Sequence, residues 1–300
     1  MSQKWPDSPQ KRHSLFGDAP LEPLSVKLLQ AAGVLSLLLI LVVANALLQS
    51  GENPLNPVAA AAERTESVDG LSFRMKVRTT SEAHPPQVDF GNGTLNLETE
   101  MALVYYNGLT EDGRRVEVAM VVEGEDAIYL NSPEFRGKLP EGKEWAEMDP
   151  SLASDDDSVP AESPDDSLAM LTASDRVHLA DHRRLHGTLV SRYVTRFEMG
   201  EIAAELRSKG SDQLAEKCEG LASQVVGPVQ AEAFVDAKGL LRRIHITMTS
   251  TASGAPETID TRMDFFDFGS HPQIQAPPED QVFDMTPLLE KQQETLGQSS

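Results

Sequence analysis

The stretch LSFRMKVRTT, Leu71–Thr80, sets Leu71, Phe73, Met75 and Val77 in strict alternation with Ser72, Arg74, Lys76 and Arg78. A period of two belongs to extended chain, whose successive side chains point to opposite faces. The stretch therefore predicts an antiparallel strand with one apolar, buried face and one basic face turned to solvent.

Similar signals recur on both sides of it. VDFGNGTLNLETEMALVYYN, residues 88–107, contains Asn92-Gly93, the dipeptide favoured in two-residue hairpins, and a turn is expected there. RRVEVAMVVEGEDAIYLNS, residues 114–132, gives two strands around a turn at Glu123–Asp126, with Val118, Met120 and Val122 on one side. GKEWAEMD, residues 142–149, gives another strand. VQAEAFVDAKGLLRRIHITMTS, residues 229–250, reads as a hairpin turning at Ala237–Gly239, its return arm placing Leu240, Ile244, Ile246 and Met248 on one face. TIDTRMDFFDFG, residues 258–269, adds one more. VAAAAERTESV, with Pro57 at its first turn, reads as a short helix before the strands. Residues 201–226 read as two helices broken at Lys209-Gly210-Ser211. Ile202 and Leu206 share a face of the first; Leu214, Cys218 and Leu221 fall at i, i+4 and i+7 of the second.

Nine to eleven short strands with few helices, undivided by any linker, predict one α+β domain. Its expected form is a curved antiparallel sheet, an open half-barrel covered by short helices.

Ahead of the domain lies a different kind of sequence. From Leu28 to Leu48 there are 21 residues without a charge. At ~1.5 Å per residue they reach about 30 Å, the thickness of a bilayer core. Lys27, Arg12 and Lys11 precede the segment, whereas Glu52 opens the far side. That asymmetry predicts a single-pass transmembrane helix over residues 28–49, with residues 1–27 cytoplasmic and the rest outside the cell membrane. Ala44-Asn45-Ala46 also fits a cleavage site, so a removed signal peptide is the competing reading. Residues 50–58 form a linker, residues 59–289 the exported domain and residues 290–300 a polar tail.

Charge and chemistry narrow the function. The chain carries a net charge of −21, unfavourable for a nucleic-acid partner. Cys218 is the only cysteine, so no intrachain disulfide and no multi-cysteine metal site can form. The acidic run at residues 154–167, SDDDSVPAESPDDS, lacks the order of a calcium loop and reads as a solvated insertion. VHLADHRRLHGTLVSRY, Val177–Tyr193, spaces His178, His182 and His186 four apart, which on a helix could hold zinc. Gly187 and the β-branched run after it argue instead for a loop entering a core strand, where residues four apart lie ~13 Å from one another. No nucleophile elbow, metalloprotease, P-loop or dinucleotide motif occurs. No catalytic residue, metal site or cofactor is assigned, and the chain reads as not an enzyme.

Four segments, KEWAEMD (143–149), HGTLVSRY (186–193), EAFVDAKGLLRRI (232–244) and MDFFDFGSHPQIQAPPEDQV (263–282), in this order, resemble the LolA-like superfamily of periplasmic lipoprotein- and lipid-binding proteins, in its actinobacterial LppX/LprG-type branch. The resemblance runs from about residue 59 to residue 289. It implies a curved sheet around a hydrophobic cavity for a lipid or acyl chain. Inward strand faces would line it: Leu71, Phe73, Met75 and Val77; Val118, Met120 and Val122; Ile244, Ile246 and Met248. Members of that branch are anchored through a lipidated cysteine, but no cysteine follows the apolar segment here. The expected role is lipid transport or envelope maintenance by a tethered protein. The alternative is a sensor or interaction module that engages another envelope protein.

Overall fold

The computed structural model describes residues 57–289, apart from 83–84, 110–114, 125, 136–137, 150–176, 209–211 and 253. The segment 28–49, most of the linker, the acidic run 154–167 and the tail 290–300 lie outside the described residues. Within them no helix is long and apolar enough to cross a membrane.

Helix α1 (Pro57–Glu66) comes first. Six strands follow: β1 (Gly70–Ser81), β2 (Gln87–Asn96), β3 (Met101–Leu109), β4 (Arg115–Glu123), β5 (Ala127–Asn131) and β6 (Trp145–Met148). Then come β7 (His178–Leu185), β8 (Thr188–Phe197), helices α2 (Met199–Ser208) and α3 (Asp212–Gln224), and strands β9 (Val229–Asp236), β10 (Leu241–Ser250), β11 (Glu257–Phe266) and β12 (Val282–Asp284). The strands form one sheet in the order β12-β6-β5-β4-β3-β2-β1-β11-β10-β9-β8-β7. Every pairing is antiparallel except β12 with β6, which is parallel. The sheet is thus mixed, not purely antiparallel. Strand β12, three residues long, is one that local periodicity cannot signal.

Strand β1 has the alternation its sequence demands. Leu71, Phe73, Met75 and Val77 are buried, while Arg74, Lys76 and Arg78 are exposed. It sits mid-sheet between β2 and β11. The helices lie on the apolar side. Thr65 near the end of α1 is fully buried; its hydroxyl donates to the Ala61 carbonyl and accepts the Leu241 N–H at 2.9 Å. Helices α2 and α3 form a second cluster with Ile202, Ala203, Leu206, Ala215 and Cys218 buried against Phe197, Val229 and Ala231. Cys218 is therefore a small core residue, as its helical spacing suggests. The side chains of Leu214 and Leu221 lie outside the described residues.

Several turns differ from expectation. Asn92-Gly93 is no hairpin turn but the middle of β2. Gly93 is there because a side chain has no room: a Cβ would stand 2.3 Å from the Leu103 carbonyl oxygen and 2.8 Å from the Phe73 ring. The chain reverses later, at residues 97–100, where Asn96 Oδ1 accepts the N–H groups of Glu98 and Thr99 at 3.1 and 3.0 Å. An Asx turn closes this hairpin.

The histidine stretch is extended, but it is not a loop into a core strand. It forms edge strand β7, a two-residue turn and β8. His186 and Gly187 both have positive φ, +48° and +87°, the pattern of a type I′ hairpin. In the β9–β10 hairpin a register shift between Leu241 and Arg243 puts Leu241, not Leu240, opposite Val235 and on the face of Ile244.

Gly93→Ala should destabilise the domain by about 2 kcal/mol or more, since backbone and a buried ring must both shift. Gly187→Ala, in open space but at positive φ, should cost about 1 kcal/mol. Urea unfolding midpoints of the two variants check this order.

Candidate functional site: the inner sheet face

Register carries the apolar face of β1 across the sheet. Phe73 lies opposite Gly93 and Phe265, Met75 opposite Gly91 and Met263, and Leu71 opposite Leu95. On one side the same face continues through Val104, Met120 and Leu130, and through Ala102, Val122 and Ile128. Towards the other edge Met263 faces Ile244, Thr261 faces Ile246 and Ile259 faces Met248. All ten residues expected from sequence therefore share one face.

Their burial divides them. Leu71, Phe73, Met75, Val77, Met120, Val122 and Ile244 are buried in the main cluster, which also takes in Val58, Ala61 and Ala62 of α1. Val118, Ile246 and Met248 are only partly buried. Ile246 and Met248 pack against both the main cluster and the α2–α3 cluster, so they sit at the seam between the two helical covers.

One polar pair stands on this face. Asp89, opposite Val77, has no exposed surface. It accepts a hydrogen bond from Gln87 Nε2 at 2.9 Å and one from the Tyr106 hydroxyl. Burial, then the Asp89 charge and that hydrogen bond, pushes the Tyr106 phenol far above its ordinary range. Reading Asn92-Gly93 as a turn breaks β2 and hides the position of Asp89; an unbroken alternation run back from Leu95 through Gly93 and Gly91 places it inward.

The outer face is polar and cross-linked. Arg192 bridges Asp181 at 2.9 Å and Glu232 at 2.8 Å, and His245 lies 2.7 Å from Asp260. Hydrogen bonds from Arg183 and Arg192 hold the Asp181 carboxyl well below the usual carboxylate range. On the same side, a concavity of about 610 Å³ opens over β11, β1, β2 and β3. His178, His182 and His186 do not converge: His182 Nδ1 lies 3.1 Å from the Ser191 hydroxyl, and His186 Nε2 lies 3.8 Å from Asp264 across the sheet. Among the described residues no group of three or more metal-ligating side chains comes together.

With this geometry in view, the structure is similar to LolA-superfamily and LprF-type proteins. LprF from Mycobacterium bovis aligns over 74% of this chain and 95% of its own, at 12% identity and a TM-score of 0.42. The LolA superfamily protein NE2245 from Nitrosomonas europaea aligns over 75% and 96%, at 10% identity and a TM-score of 0.28. The ywiB protein from Bacillus subtilis aligns over 65% and 91%, at 6% identity and a TM-score of 0.17. No family model and no curated protein matches the sequence.

The hairpin that anchors α1 supplies a pH prediction. Desolvation acts to raise the Asp236 carboxyl, but the Leu240 N–H, the Arg242 guanidinium and the Lys238 N–H outweigh it, and the net shift is downward. A depressed carboxylate stabilises the fold above its unfolded pKa of about 3.9, and that contribution disappears as pH falls through the folded value. Thermal melts between pH 6 and pH 2 should therefore show Asp236→Asn less stable than the parent near neutrality, with the gap closing in acid.

Proposed function

We propose that the exported domain is a lipid- or acyl-chain-binding module of the cell envelope, held to the membrane by residues 28–49. The inner face carries this reading, because Val118, Ile246 and Met248 are left only partly buried on an otherwise covered apolar surface. Twelve strands at ~4.8 Å spacing would make a flat sheet about 50 Å wide. Helix α1 has 10 residues, hence is about 15 Å long and ~10 Å across. Yet inner residues are buried from Met148 in β6 to Ala231 in β9. A sheet curled into a half-barrel reconciles these facts, with α1 in its hollow and the α2–α3 pair over one end.

Within that hollow, the seven buried residues serve as packing. Val118, Ile246 and Met248 keep apolar surface free and form the contact with the ligand, Ile246 and Met248 at the seam between the helical covers and Val118 further along the same face on β4. Such a surface suits methylene chains, each buried CH₂ contributing about 0.8 kcal/mol. A tether at residues 28–49 fits a fixed acceptor or donor of lipid better than a freely diffusing carrier.

Extraction of the full-length chain from host membranes in detergent, followed by native mass spectrometry, tests the reading. A bound apolar mass should survive activation that strips detergent. Ile246→Gln should reduce its occupancy at least tenfold while leaving the circular dichroism spectrum unchanged. Equal occupancy in parent and variant would mean nonspecific lipid and would contradict the assignment.

A further inference from the structure

The outer face carries a second set of groups that lipid binding on the inner face does not use. Strand β1 presents Arg74, Lys76 and Arg78 there, and the register sets Lys76 directly opposite Arg262 of β11. Arg262 in turn stands opposite His245 of β10. Like charges placed opposite one another across an antiparallel pair repel.

Two acids stand opposite this row, Asp264 across from Arg74 and Asp260 across from Arg78. Asp264, however, is bound by Arg243, and Asp260 accepts from His245 Nε2 and the Thr247 hydroxyl. Arg74, Lys76, Arg78 and Arg262 make no ion pair with any described residue. In a chain with 47 acidic and 26 basic residues, four cations on two adjacent strands against two acids already bound elsewhere favour an external anion.

The concavity lies beside these cations and has a different character. Its floor is the glycine backbone of β2 at Gly91 and Gly93. Aromatic rings bound it: Phe90 and Tyr105, respectively 46% and 41% exposed, and Phe266. Arg74 reaches over the Phe266 ring, its guanidinium carbon 5.0 Å from the centroid, which holds the cation at the rim. Asn92 and Thr94 add donors and acceptors. Lys76 is the cross-strand partner of Phe90, one register step beyond the rim. The volume, about 610 Å³, is that of a small-molecule site.

We propose that this concavity binds an organic phosphate with a cyclic body. The phosphate is held by Arg74 and Lys76, the ring lies against Tyr105 and Phe90, and ring hydroxyls meet Asn92 and Thr94. A soluble sugar phosphate and the headgroup of an inositol phospholipid share this chemistry. The site lies on the face opposite the acyl-binding surface, so either can exist without the other.

Calorimetric titration of the full-length chain with glucose 6-phosphate, with inorganic phosphate, and with phosphatidylinositol vesicles against equally anionic phosphatidylglycerol vesicles separates the cases. Saturable binding of glucose 6-phosphate, weakened at least tenfold by Arg74→Gln, by Lys76→Gln and by Tyr105→Ala but unchanged by the remote Lys143→Gln, supports a soluble ligand. A response to phosphatidylinositol vesicles but not to phosphatidylglycerol vesicles, lost in Arg74→Gln and in Tyr105→Ala, supports the headgroup source. An equal response to both would show charge attraction alone and overturn the proposal. Binding of inorganic phosphate as tight as that of glucose 6-phosphate and indifferent to Tyr105→Ala would show an adventitious ion only and overturn the proposal. Absence of binding in every arm would overturn it as well. Unfolding midpoints within a degree of the parent confirm that each variant is folded.

Discussion

Strand register is the constraint on which the rest of this structure depends. Side chains alternate between faces, so a slip of one residue in β1 would carry Leu71, Phe73, Met75 and Val77 to solvent and Arg74, Lys76 and Arg78 into the core. The slip is opposed from both sides. Phe73 fits over Gly93 and would collide with any other residue there, while Asn96 and the Asx turn fix where β2 ends. With β1 in place, β11 and β10 follow through Met263 and Ile244, and the inner face becomes continuous.

The two faces divide the energetic work. Burial of a large apolar side chain such as Phe73 or Leu71 contributes roughly 1.5–3 kcal/mol, and such residues are concentrated inside. Outer-face ion pairs are solvent-facing and individually weak. Their value is in register and in the choice of partner, because each acid bound to a neighbouring base leaves a defined set of cations free. The helices are attached by few polar contacts. Thr65 is one, linking α1 to the β9–β10 hairpin through the Leu241 N–H.

Much of this was legible in the sequence where one face is buried. β1, β4, β9 and β11 announce themselves by alternation, and the break between α2 and α3 by Lys209-Gly210-Ser211. The ten inner-face residues share a face because alternation needs only local order. Elsewhere the local signal fails for physical reasons. β7 is an edge strand whose residues are exposed or only partly buried, so His178, Asp181, His182 and Arg184 can all be polar and no period survives. At Asn92-Gly93 the glycine answers a steric demand from Phe73, a residue far away in sequence. The buried Asp89 and its Tyr106 partner became visible only with the pairing of β2 and β3. β12 depends on a parallel contact with β6 that no three-residue window can show.

The central claim is that an acyl chain occupies the seam of the inner face. Methyl-labelled NMR of the full-length chain in detergent with an isotope-labelled fatty acid addresses it most directly. The account predicts intermolecular contacts from acyl methylenes to the methyl groups of Ile246 and Met248 at the seam, extending to Val118 along the same face. Contacts confined to solvent-exposed Leu179 and Leu189, with none at the seam, would contradict it.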